Sequence, residues 1–141
     1  MRALFITLLL ALAGMAASPA HAADDSLYRA FGEKAGMATL MTDFVGRLKT
    51  DAQIGRYFKD VNAKNLAMQL TDQLCNVAGG ACEYEGATMK QSHAELGITR
   101  ADFNRLVEVL QDTMNARGIS FGVQNEMLAR LAPMYRDIQT K

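Results

Sequence analysis

The stretch Gly79-Gly80-Ala81-Cys82-Glu83-Tyr84-Glu85-Gly86-Ala87-Thr88-Met89-Lys90-Gln91-Ser92-His93-Ala94-Glu95-Leu96-Gly97-Ile98-Thr99 decides how the rest of the chain is read. It opens on a glycine pair, which ends helices because glycine enters the left-handed conformation without a Cβ clash. Ala81 to Thr88 has no helical period and reads as an ordered loop. A short helix is expected around Met89 to Glu95, closed by Gly97, and it carries His93.

Outward from that stretch, helical periodicity dominates. Leu27, Tyr28 and Phe31 form a short first segment stopped by Gly32. From Glu33 to Lys49, Met37, Leu40, Met41, Phe44, Val45 and Leu48 recur at three-four spacing, the pattern of an amphipathic helix. Asp51 is placed to cap a short helix bearing Ile54, Tyr57 and Phe58. Asn62 is placed to cap a longer one with Leu66, Met68, Leu70, Leu74, Cys75 and Val77, ended by Gly79-Gly80.

Downstream, Thr99-Arg100-Ala101-Asp102 has the form of a capping box with Asp at its third helical position. It opens a helix with Phe103, Leu106, Val107, Leu110 and Met114 inward, ended by Gly118. Ser120 is the expected cap of the last helix, with Val123, Met127, Leu128, Leu131 and Tyr135 on one face and Pro133 interrupting it. No stretch alternates as a strand does. The expected class is all-α, in one domain.

Met1-Arg2, the apolar run Ala3 to Ala17 broken by Thr7, and Ala20-His21-Ala22 form a secretory signal with cleavage after Ala22. Residues 1–22 are therefore expected to be a leader and 23–141 the functional domain. The run is short for a membrane span, Asp24-Asp25 follow at once, and no cysteine lies near the cut, so no membrane anchor is expected after cleavage. The expected location is the periplasm or the exterior. His93 is then the mature chain's one histidine. The whole chain has 15 basic and 15 acidic side chains, a balance that gives no electrostatic case for nucleic acid or an anionic membrane.

Cys75 and Cys82 flank the glycine pair, and export makes pairing the default expectation. Two separate buried thiols are the alternative. No C-x-x-C-H is present, so covalent haem attachment of the c type is not expected.

Tyr57-Phe58, Gly79-Gly80, Tyr84-x-Gly86, Met89-Lys90-x-x-His93 and Gly97-Ile98-Thr99 follow one another in an order that resembles the truncated haemoglobins of group I. The resemblance covers about Leu27 to Ile138. Cys75…Gly79-Gly80-x-Cys82 also resembles a bacterial subset carrying this cysteine pair. The resemblance implies a two-over-two helical sandwich, a truncated globin-like fold, enclosing haem b (iron protoporphyrin IX). By position, His93 is its proximal iron ligand and Phe58 stacks on the porphyrin. Phe44, Leu66, Leu70 and Leu74 line the distal side. Met89, Ile98, Phe103, Leu106, Leu128 and Leu131 fill the other walls.

The chemistry agrees with that assignment. A wide apolar disc with two carboxylates needs apolar side chains from several helices, an axial nitrogen and nearby cations. Neutral imidazole supplies the nitrogen when its second ring nitrogen is held by a carbonyl. The carbonyl of Met89, one turn before His93, is the expected partner. Lys64 and Lys90 are the candidates for the carboxylates.

The sequence departs from the group at two positions. Group I proteins commonly have tyrosine where this chain has Val45, and often glutamine where it has Leu70. Losing such a donor in a dry pocket removes about 1–3 kcal/mol, so oxygen should leave roughly ten- to a hundredfold faster unless another donor stands in. Gln73 is the first replacement considered; Gln69 and Tyr57 are the next. A resting sixth ligand would be water, or else Met68, a lysine or a tyrosine.

These readings converge on a haem protein of the cell envelope that binds a diatomic gas ligand, oxygen or nitric oxide. A reductase is a possible partner. Weak nitric oxide dioxygenation is the one enzymatic activity entertained, because no distal acid–base group for peroxidase chemistry is evident. A haem-free helical binding module and a haem electron carrier are the alternatives.

Overall fold

The computed structural model describes residues 24–141. The expected leader, residues 1–22, lies outside the described residues. Among the described residues seven α-helices follow in order: α1 Ser26–Ala30, α2 Glu33–Thr50, α3 Ala63–Val77, α4 Met89–His93, α5 Arg100–Ala116, α6 Phe121–Leu131 and α7 Tyr135–Ile138. Short 3-10 turns at Gly55–Phe58 and Ala132–Met134 complete the regular structure. Among the described residues there is no strand and no helix long and apolar enough to cross a membrane.

Helix α2 is the spine. Its six predicted apolar positions, Met37, Leu40, Met41, Phe44, Val45 and Leu48, are each at most 4% exposed. They pack against α3 and α5. Gly32, with φ at +76°, lets α1 fold back onto α2 within two residues.

The caps were mostly legible. Asp51 Oδ1 accepts from the Gln53 and Ile54 amides at 2.9 and 3.0 Å, starting the Gly55–Phe58 turn. Asn62 Oδ1 accepts from the Asn65 amide at 2.9 Å. The Gly80 amide donates to the Cys75 carbonyl (2.9 Å) and the Gly79 amide to that of Asn76 (3.2 Å). That pairing is a Schellman ending of α3 on its glycine pair. Substitution at Gly79 is also blocked by packing: its φ is +87°, and a Cβ there would lie 2.4 Å from the Asp24 carbonyl.

Cys75 and Cys82 form a disulfide with Cα atoms 5.8 Å apart, tying the end of α3 to the loop that leads to α4. Two expectations need correction. The His93 helix ends at His93 rather than near Glu95, because Ala94 is extended and Glu95 takes a positive φ of 65°. Ser120 sits at the start of α6 but its side chain makes no capping bond. Pro133 does interrupt the last helix: α6 stops at Leu131, a 3-10 turn holds the proline, and α7 resumes.

Candidate functional site

Four elements contribute apolar side chains that stay only half-buried. They are Phe58 from the 3-10 turn, Leu66 and Leu70 from α3, Phe103 and Leu106 from α5, and Leu128 and Leu131 from α6. Spacings of three or four residues put each helical pair on one face. The contrast with the α2 stripe is physical, since these side chains still offer apolar surface for another apolar body to cover. Phe103 meets Tyr135 of α7 edge to face, with ring centroids 4.9 Å apart.

His93, also half-buried, is the last residue of α4. Its Nδ1 lies 2.8 Å from the Met89 carbonyl oxygen, the partner expected from spacing, and 3.1 Å from Ser92 Oγ. A carbonyl only accepts, so Nδ1 is the donor there, and in a neutral ring Nε2 keeps its lone pair. Met89, four residues earlier, shares His93's face of the helix. Its thioether is 3.3 Å from Gln73 Nε2, so that face is turned toward α3.

Gln73 is 7% exposed, and its amide also approaches the Met134 sulfur at 3.5 Å. Thioether sulfur is a weak acceptor. Gln73 is therefore a buried donor aimed between α3, α4 and the Ala132–Met134 turn without a strong partner. The other predicted members divide. Phe44, Val45, Leu74 and Ile98 are buried; Met89 is half-buried. Gln69, Lys64, Lys90 and Met68 are exposed, Met68 at 60%.

Tyr57 is engaged elsewhere. Its hydroxyl donates to Asp102 Oδ2 at 3.0 Å, while Arg56 Nη2 lies 3.1 Å from Asp102 Oδ1 and its guanidinium stacks 4.5 Å above the Tyr57 ring. Asp102, 5% exposed, also accepts from the Thr99 hydroxyl (2.7 Å) and amide (3.1 Å). Bonds from Thr99, then from Tyr57, hold its carboxyl far below the usual carboxylate range. The network joins the Phe58 turn to the start of α5.

Two supports of the site escaped the sequence reading. Thr88 and Gln91 form a reciprocal capping box on α4, although Thr88-x-x-Gln91 has the required spacing. Thr140 and Lys141 bond to Ile98, just beyond α4, with no local pattern to announce it. Among the described residues no group of three or more His, Cys, Asp or Glu is placed to hold a metal ion, and His93 carries the one imidazole.

The set fits a haem: apolar walls from four elements, one half-buried imidazole with a bare Nε2, and a buried amide. Known proteins share the fold. A truncated hemoglobin of Tetrahymena pyriformis, solved in its Fe(III) form, matches with a TM-score of 0.77 at 23% identity, over 82% of this chain and 98% of that one. The 2/2 hemoglobin of Synechococcus sp. PCC 7002, solved in the cyanomet state with covalently attached heme, matches with a TM-score of 0.75 at 20% identity, over 82% and 98%. In sequence, the group 1 truncated hemoglobin GlbN of Mycolicibacterium paratuberculosis is 29% identical over 115 residues, 82% of this chain and 85% of that protein. The bacterial-like globin family model spans residues 26–140, nearly everything the helices, the half-buried walls and His93 are built from, and the chain belongs to that family.

Proposed function

We propose that this globin holds haem b through His93 Nε2 and binds a diatomic gas, oxygen or nitric oxide, in the cell envelope. The observation that carries the reading is the 2.8 Å contact between His93 Nδ1 and the Met89 carbonyl. It fixes the tautomer and the ring plane, so the other nitrogen is presented as a ligand without reorganisation. When bound, the haem would supply the iron chemistry that takes up the gas. Phe58, Leu66, Leu70, Phe103 and Leu106 exclude water and hold the macrocycle by apolar contact. The leader supports an envelope location, and a reductase is a candidate partner for keeping the iron ferrous there.

Gln73 is the donor we assign to the gas ligand. Its amide is buried and poorly partnered, Gln69 faces solvent, and the Tyr57 hydroxyl is committed to Asp102. A carbon monoxide difference spectrum of the reduced protein tests the reading. A five-coordinate ferrous form that takes up carbon monoxide supports gas binding; a six-coordinate form that refuses it favours electron transfer. Gln73→Leu should speed oxygen release about tenfold, equivalent to one hydrogen bond of about 1.4 kcal/mol. An unchanged rate in stopped flow would remove Gln73 from the role.

A further inference from the structure

Helix α4 has five residues and none of them is fully buried. A helix that short does not hold its own shape in water, and no apolar stripe anchors it. Its geometry is set from outside. At the near end stands the Thr88–Gln91 capping box. At the far end, Glu95 and Gly97 both have positive φ, near 65°, and the chain turns sharply into Ile98.

That turn is clamped by Thr140 and Lys141. The Ile98 amide donates to Thr140 Oγ1 at 3.0 Å, and the Thr140 and Lys141 amides both donate to the Ile98 carbonyl, at 3.0 and 3.1 Å. The Lys141 methylenes lie over Gly97, where an added Cβ would sit 3.3 Å from Cε. Helix α7, which leads into this segment, packs directly on α4.

We propose that Thr140 is a positioning residue for His93: through its hydrogen bonds to Ile98, it fixes the end of α4 and so the direction of the imidazole toward the iron. This rests on His93 being the haem ligand. The hydroxyl is the part that matters, because it satisfies the Ile98 amide that the α4 turn leaves without a helical partner. Without it, the segment between His93 and Ile98 samples several orientations, and the His93 imidazole is presented over a spread of directions.

The test compares wild type, Thr140→Val, Thr140→Ser and a control, Thr39→Val, whose hydroxyl bonds only within its own helix. Resonance Raman of the ferrous form reads the iron–histidine stretch. Transfer of haem to excess apomyoglobin reads retention. Hydrogen exchange of the haem-free chains reads residues 93–98. Thr140→Val should shift or broaden the stretch, raise the transfer rate about tenfold, in the range usual for lost outer-shell partners, and speed exchange at 93–98. Thr140→Ser and Thr39→Val should match wild type. An unchanged stretch and transfer rate in Thr140→Val would overturn the proposal, as would an equal effect in Thr140→Ser. If wild type itself shows no iron–histidine stretch, the haem reading fails first and takes this inference with it.

Discussion

Helices α2 and α4 sit at opposite ends of one scale. Helix α2 runs for 18 residues and buries six apolar side chains almost completely. Helix α4 runs for five and buries none completely, yet it carries the one imidazole among the described residues. The first is held by what it covers, the second by what is bonded to its ends. The difference separates folding from function: loss of a contact in α2 should be felt by the whole molecule, and loss of one around α4 mainly by the site.

The comparison breaks most visibly in the core. Leu40→Ala removes a side chain that is 1% exposed, and burial of that kind is worth about 2–5 kcal/mol. Urea unfolding should show the loss with an unchanged slope. Loss of haem affinity without loss of stability would place Leu40 in the site instead. Thr88→Ala, at the start of α4, should cost about 1 kcal/mol or less in global stability. It should nonetheless raise amide exchange across 89–93, read by mass spectrometry. A global destabilisation as large as that of Leu40→Ala would erase the distinction between the two helices.

Asp102 gives the subtlest contrast, because it links the two regimes. It sits on the framework helix α5 but ties down the Phe58 turn through Tyr57 and Arg56. Its depressed pKa means that the folded state prefers the ionised carboxylate. That stabilisation is fully present above the ordinary carboxylate value of 3.8 and fades as pH falls below it toward the folded-state value. Asp102→Asn should therefore lower the thermal midpoint at neutral pH, with the gap to wild type narrowing in strongly acid solution. A gap independent of pH would mean that shape, not charge, accounts for the loss.

These contrasts explain what could be read in advance. The framework was legible because burial writes itself into periodicity: the α2 stripe, the Asp51 and Asn62 caps and the Gly79-Gly80 ending all appear as local patterns. The hydrogen bond between His93 and the Met89 carbonyl was legible because a helical turn fixes their spacing. The clamp from Thr140 was not, since it joins positions 42 apart in sequence and leaves no period. The engagement of Tyr57 by Asp102, 45 positions away, was hidden for the same reason. Thr88-x-x-Gln91 was a missed pattern rather than an absent one. Gln124, 1% exposed, went unread as well: its amide is buried on Asn115 and the Ile119 carbonyl, closing the α5–α6 corner.

The most direct test is the visible spectrum of the purified protein beside that of His93→Ala, each reconstituted with equimolar haem and desalted. Retention of haem with a sharp Soret band by wild type, and its loss by the variant or its rescue only with added imidazole, is the predicted result. Equal haem content and identical spectra in the two proteins would contradict the assignment of His93 as the iron ligand.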